Sequence, residues 1–198
     1  ATAHIDAINA TEVAQVTHVY SSRLLDDDEL SVRHGSRIRT TINLKAMLKE
    51  PRIDVVDVTS YPYQHADQVV AAAKAGKHII CEKPLGNTLA EAKRMAAAVK
   101  KAGVRHFLMH NYRRVPAVAM AKRLVDDGRI GAIRHFRARY LQDWAMSPKL
   151  HLLWRFEKER AGSGALGDLG SHIIDLAQYL CADITELSAA METFVKQR

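Results

Sequence analysis

Two separated segments of this sequence carry residues able to do chemistry. The first is Cys81-Glu82-Lys83-Pro84. A residue before proline is pushed toward extended backbone, so Pro84 sets Lys83 at the end of a strand rather than inside a helix. A lysine there can donate to a hydroxyl or relay its proton. It also reads as a surface lysine beside Glu82, and one Glu-Lys-Pro does not separate the two. The second segment runs from Gly164 through Asp168, Gly170 and His172 to Asp175. Asp168, His172 and Asp175 stand at helical positions i, i+4 and i+7 and share a face. Leu169, Ile173, Leu176 and Leu180 form the opposing apolar stripe. Gly167 and Gly170 each weaken a helix by about 1 kcal/mol against alanine, so a close approach to their backbone is expected. Asp168 also reads as an N-cap, His172 as a core histidine, and the two as metal ligands; further ligands are not evident, so no metal is expected.

These residues need elements to place them. Residues 3–12 read as the tail of a helix, with Ile5, Ile8 and Ala10 facing inward. Residues 14–20 read as a strand, Asn43 as the cap of a short helix, and 54–59 as a buried strand. A helix follows over 64–75 with Ala66, Val69, Val70 and Ala73 in a stripe and Gly76 at its end. Residues 77–81 read as a strand, Thr88 as the cap of a helix reaching 102, and 105–109 as another strand. Strands alternating with helices imply α/β architecture, right-handed crossovers and a parallel sheet. Ligands bind beyond the carboxyl ends of such strands, the rim that holds Ser21-Ser22-Arg23, Thr59-Ser60-Tyr61-Pro62, Glu82-Lys83-Pro84 and His110-Asn111-Tyr112-Arg113. After residue 114 the pattern changes to α+β. A helix over 116–127 is followed by a long strand over 132–141, a loop with Trp144 and Trp154, a helix to about 181 and a strand over 184–195. Two domains are therefore expected, 1–113 and 114–198.

Composition narrows the function classes. Of 198 residues, 47% are hydrophobic and 26% charged, a globular balance. No run approaches the roughly 18 apolar residues of a membrane span. The net charge of +7 is spread along helical polar faces, without a nucleic-acid-binding motif, so nucleic acid is not an expected partner. Two cysteines fit a reducing compartment, and the first residues have no secretion-signal pattern, so the cytoplasm is expected.

Cys-Glu-Lys-Pro at a strand end, Asn111-Tyr112-Arg113-Arg114, and a later Gly-x-x-x-Asp-x-Gly-x-His-x-x-Asp resemble the glucose–fructose oxidoreductase and inositol dehydrogenase family (Gfo/Idh/MocA). Thr59-Ser60-Tyr61-Pro62-Tyr63-Gln64-His65 is similar to its Thr-x-Pro-x-x-x-His loop. The stretch from Tyr140 through Trp144 and Trp154-Arg155 to Gly162 most resembles members acting on anhydrosugars such as levoglucosan.

The resemblance implies a Rossmann domain, its first strand absent here, followed by part of an open-sheet α+β substrate domain. It implies hydride transfer between NAD or NADP and a CH–OH group of a cyclic sugar, anhydrosugar or inositol. His172 would be general base or acid, Lys83 would polarise the reacting oxygen, and Asp168 would tune the site. The cofactor would meet Ser22 and Arg23 after one strand and Thr59, Ser60, Tyr61, Pro62 and His65 after the next. Glu82, Lys83 and Asn111 complete that set. Tyr112, Arg113, Gln142, Asp143 and Asp175 are substrate candidates. Arg23, where an acidic residue would favour NAD, leans toward NADP. Residues 1–12 read as the helix after a glycine loop that is not in the sequence, and the family's second sheet continues past Arg198. A homo-oligomer, dimer or tetramer, is implied. Two other readings stay open: a redox glycosidase using the same step, and a non-catalytic sugar- or dinucleotide-binding protein.

Overall fold

A computed structural model describes residues 2–197. They form two compact units: one comprises residues up to Ser60 with Gln64–Cys81 and Ala92–Phe107, the other Tyr61–Tyr63, Glu82–Glu91 and the residues from Leu108 onward.

The first unit is α/β. Its order is α1 (Thr2–Asn9), β1 (His18–Tyr20), α2 (Asp27–His34), β2 (Arg39–Thr41), α3 (Leu44–Leu48), β3 (Val55–Val58), α4 (Pro62–Lys74), β4 (His78–Cys81), α5 (Leu89–Ala102) and β5 (His106–Leu108). The helix starts follow from their caps. Asn43 accepts the Ala46 amide at 3.0 Å. Thr88 Oγ1 accepts the Glu91 amide at 3.2 Å while Glu91 returns a bond to the Thr88 amide at 3.0 Å, a reciprocal box that satisfies two orphan donors. Gly76 ends α4 at φ 73°, a left-handed conformation that side-chain-bearing residues rarely adopt.

The strands lie in two sheets. β1 and β2 pair in parallel with Val19 opposite Thr40, and β3, β4 and β5 form the other, Val56 opposite Ile79 in parallel register. Among the described residues, the buried aliphatic, methionine and cysteine side chains all fall in this unit. Ala72, Ile38, Ala66, Ala73, Val58 and Met95 are its best-covered members. Ile5 of α1 is buried as expected, but Ile8 is only half-buried and Ala10 lies beyond the helix, exposed.

α2 and β2 were not anticipated from hydrophobic pattern. α2 reads Asp-Asp-Glu-Leu-Ser-Val-Arg-His and buries only His34, so it has no apolar stripe to find. Its signal lies at the ends, where Asp26 caps the Glu29 amide at 2.8 Å and Gly35 turns the chain out at φ 62°.

The second unit has a 3₁₀ turn at Asn111–Arg114, α6 (Pro116–Asp126), a second such turn at Trp154–Phe156, α7 (Lys158–Ala161), a π turn at Leu166–Gly170, and α8 (Ser171–Leu180). The expected strands over 132–141 and 184–195 are not formed. Alternating β-branched and aromatic residues suit a strand, but a strand needs a ladder partner, and none is present among the described residues. The expected helix running to about 181 also needs correction at its start: residues Leu166–Gly170 form a π turn, so Asp168 precedes the regular helix that carries His172 and Asp175.

Met95, 2% exposed on α5, should lose about 2–5 kcal/mol on truncation to Ala, whereas Met120, 47% exposed on α6, should change stability by less than about 0.5 kcal/mol. Chemical denaturation of the two variants measures the difference.

Candidate active site

The second unit buries polar groups where an ordinary unit buries leucines. His172 is 6% and Asp175 7% exposed, and both project from one face of α8. The stripe of Leu169, Ile173, Leu176 and Leu180, expected inward, is only half-buried. Charged and polar groups withdrawn from water need partners, and the chain supplies them from segments that follow β4 and β5.

Lys83 comes first. The Lys83–Pro84 peptide is cis. Lys83 Nζ donates to Asp168 Oδ1 at 2.8 Å and to the Asp168 carbonyl at 2.6 Å. The Lys83 amide is held by Glu82 Oε2 at 3.0 Å. Arg155 Nε lies 3.5 Å from the other Asp168 oxygen, and its guanidinium sits 4.4 Å over the Trp154 ring. The close approach expected at the glycines is real: a Cβ on Gly167 would stand 2.8 Å from Ser163 Oγ and 3.8 Å from Pro84 Cγ. Gly162-Ser163-Gly164-Ala165-Leu166-Gly167 has the spacing of a dinucleotide loop, but it follows α7 instead of a strand, so it lacks that loop's setting.

His172 stacks on Tyr112, ring centroids 4.0 Å apart and planes within 13°. The His110 ring meets it edge-on at 6.1 Å. Nδ1 of each histidine is buried without a hydrogen-bond partner. Burial pushes His172 below its ordinary value of 6.5, and the Lys83 and His110 charges push the same way. His110 is lowered too, chiefly by burial; Asp175, whose carboxylate lies 3.8 Å from His110 Nε2, opposes that shift. Both imidazoles are therefore neutral near neutral pH, and a neutral imidazole can accept a proton.

Asp175 is clamped by Arg113, which donates through Nε at 2.8 Å and through Nη2 at 2.5 Å. Such a fork fixes the carboxylate geometrically as well as electrostatically. The Tyr112 hydroxyl bonds that of Tyr140 at 2.6 Å, raising the Tyr112 pKa. Gln142 donates to Tyr140 at 3.2 Å and accepts from the Trp144 indole at 2.7 Å.

The structure thus joins Lys83 with Asp168, and Tyr112 and Arg113 with the two buried residues of α8. Gln142 connects to them through Tyr140. Asp143 is exposed, as is Asn111. In the first unit, Ser22 and Arg23 are exposed just after β1. Thr59 and Ser60 follow β3; Ser60 Oγ donates to Gln68 at 2.8 Å, and fully buried His65 bonds the Ser60 carbonyl through Nε2 at 3.1 Å. His65 thereby shapes the turn. Tyr61, in the second unit, is exposed and packs on Trp154 at 4.9 Å; Pro62 is buried. His110, Tyr140 and Arg155 were not singled out as site residues from sequence. His110 carried a local signal as the first polar residue after β5, and Tyr140 and Arg155 lie in the stretch that resembles anhydrosugar-acting members.

Residues 1–111 match the oxidoreductase family with an NAD-binding Rossmann fold, and residues 118–198 match the GFO/IDH/MocA C-terminal domain. The chain belongs to the Gfo/Idh/MocA oxidoreductase family. It is 46% identical over 159 residues to the levoglucosan dehydrogenase of Pseudarthrobacter phenanthrenivorans, covering 80% of this chain and 41% of that protein. It is 33% identical over 137 residues to an NADP(+) scyllo-inositol 2-dehydrogenase of Bacillus subtilis, covering 69% and 37%. A levoglucosan dehydrogenase solved in complex with NADH and levoglucosan superposes with TM-score 0.92 at 40% identity, covering 98% of this chain and 54% of that one. The chain therefore spans about half the length of relatives in this Gfo/Idh/MocA family, and its α/β fold with parallel strands is the family's Rossmann-like one. Among the described residues no three His, Cys, Asp or Glu side chains gather as metal ligands, and no helix is long and apolar enough to cross a membrane.

The lowered histidines have a stability consequence. At pH values between their folded pKa and 6.5 the unfolded chain binds more protons than the folded one, so stability is full above 6.5 and is lost as pH falls through that window. The thermal midpoint should drop on acidification from about pH 7 to about pH 5, and His172→Gln should shrink that drop. An undiminished drop in the variant would remove His172 from the account.

Proposed function

We propose that this chain is the catalytic portion of an NAD(P)-dependent dehydrogenase acting on a CH–OH group of a cyclic sugar, anhydrosugar or inositol. The observation that carries the reading is a buried, neutral His172 beside a lysine whose ammonium is fixed by both the side chain and the carbonyl of Asp168. Oxidising an alcohol requires removal of its hydroxyl proton as the carbon loses hydride. His172 accepts that proton, Lys83 donates a hydrogen bond to the oxygen as negative charge grows on it, and Asp168 holds the ammonium in place. A bound NAD or NADP would supply the hydride acceptor.

The residues after β1 fit such a cofactor: Ser22 and Arg23, both exposed, offer a hydroxyl and a guanidinium suited to ribose or phosphate oxygens. Ser60, Tyr61 and Asn111 are further candidates for cofactor contact. Asp175, Gln142 and Asp143 are candidates for recognising substrate hydroxyls. The dinucleotide part is read as 1–113 and the substrate part as 114–198, a division supported by family matches that end at 111 and resume at 118. The choice of sugar class is supported by relatives named for levoglucosan and scyllo-inositol.

Incubating the protein with levoglucosan, inositols and simple cyclic sugars should yield net NAD(P)H with at least one of them. Lys83→Ala and His172→Ala should each lower kcat by about 10²–10⁴-fold while NAD(P)H still binds, as followed by its fluorescence. Release of an aglycone from glycosides with no net reduction of cofactor would sink the dehydrogenase reading in favour of a redox glycosidase.

A further inference from the structure

We propose that Tyr112 is a positioning residue for His172 and not a substrate ligand, its ring seating the imidazole and its hydroxyl tying that imidazole to the loop that bears Gln142 and Trp144. The proposal rests on reading His172 as the catalytic base.

Three observations carry it. Tyr112 and Arg113 are consecutive residues of the 3₁₀ turn Asn111–Arg114, and they grip two residues one helical turn apart on α8, His172 and Asp175. One contact is a parallel stack at 4.0 Å and the other a two-bond ionic fork, so turn and helix are held together at the reacting group. The Tyr112 hydroxyl is already engaged by Tyr140 at 2.6 Å. Beyond Tyr140 the string continues through Gln142 to the Trp144 indole, which stacks on Phe156 at 5.6 Å. The loop carrying Gln142 therefore reaches His172 through hydrogen bonds and one aromatic stack.

The groups bearing on the His172 ring are Glu82 and Lys83 after β4, His110 and Tyr112 after β5, Tyr140 in the loop, and Asp168 ahead of α8. Of these, Tyr112 supplies the cover over one face. Removing its ring lets water reach the imidazole and relieves the burial that keeps it neutral.

The test uses Tyr112→Ala, Tyr112→Phe, Tyr140→Phe and the double Phe variant of the protein, read by NMR titration of His172 and by kcat and KM separately. Tyr112→Ala should move the His172 titration upward toward 6.5 and lower kcat about two- to tenfold, the range of an aromatic pair expressed as a rate. Tyr112→Phe should leave the titration low, because the stack survives. Tyr112→Phe cuts the Tyr112–Tyr140 link and Tyr140→Phe cuts that link and the one to Gln142, so Tyr140→Phe should raise KM at least as much as Tyr112→Phe, and the double variant should be no worse than Tyr140→Phe alone. An unmoved titration in Tyr112→Ala overturns the proposal, as do KM effects of the two Phe substitutions that multiply. The titration arm needs no turnover, so a protein without dehydrogenase activity would sink the function above while still deciding the role of Tyr112.

Discussion

The second unit depends on one ion pair between segments 85 residues apart, Lys83 and Asp168. Its strength lies in redundancy: the ammonium is bound by the carboxylate and by the backbone carbonyl of the same residue. A charge at 15% side-chain exposure needs such compensation, because desolvation costs it more than a surface pair returns. The π turn is part of this arrangement. It presents the Asp168 carbonyl and carboxylate together to Lys83, and the buried Gly167 beside it leaves room for the Ser163 hydroxyl, which would stand 2.8 Å from a Cβ there.

From that pair the electrostatics of the site follow in order. Lys83 is a fixed cation near His172 and adds to the burial that keeps the imidazole neutral. Asp168 is shared with Arg155, whose guanidinium lies on Trp154, so the loop after residue 141 is joined to the ion pair at one end and to Tyr140 at the other. Asp175 is neutralised by Arg113, which explains how a carboxylate can sit buried three residues from His172. In this unit polar contacts hold what an apolar core holds in the first.

Much of the first unit was legible because its strands and helices announce themselves by burial. β3, β4, α4 and α5 have the short apolar runs or stripes that only a buried face requires, and their caps at Thr88 and Gly76 mark their ends. α2 and β2 were not, since the helix buries one histidine and the strand reads Arg-Thr-Thr. Their places are set by Asp26 at the start of the helix and by Thr40, which bonds Asp27 through its amide and hydroxyl. The reverse error came at 132–141 and 184–195, where residue types suited to strands have no neighbouring strand to pair with among the described residues.

The sequence alone determined the chemical cast. Lys83 before a proline, and Asp168, His172 and Asp175 in one short segment, stand out as candidates from type and spacing, because spacing within an element obeys local geometry, and the family resemblance is what implied their roles. Only the tertiary structure decided who touches whom. That Asp168 holds the Lys83 ammonium, that Arg113 belongs to Asp175, and that Tyr112 lies flat on His172 are facts about segments distant in sequence. Those contacts depend on how the chain returns on itself after β4 and β5, and no periodicity along the chain records that.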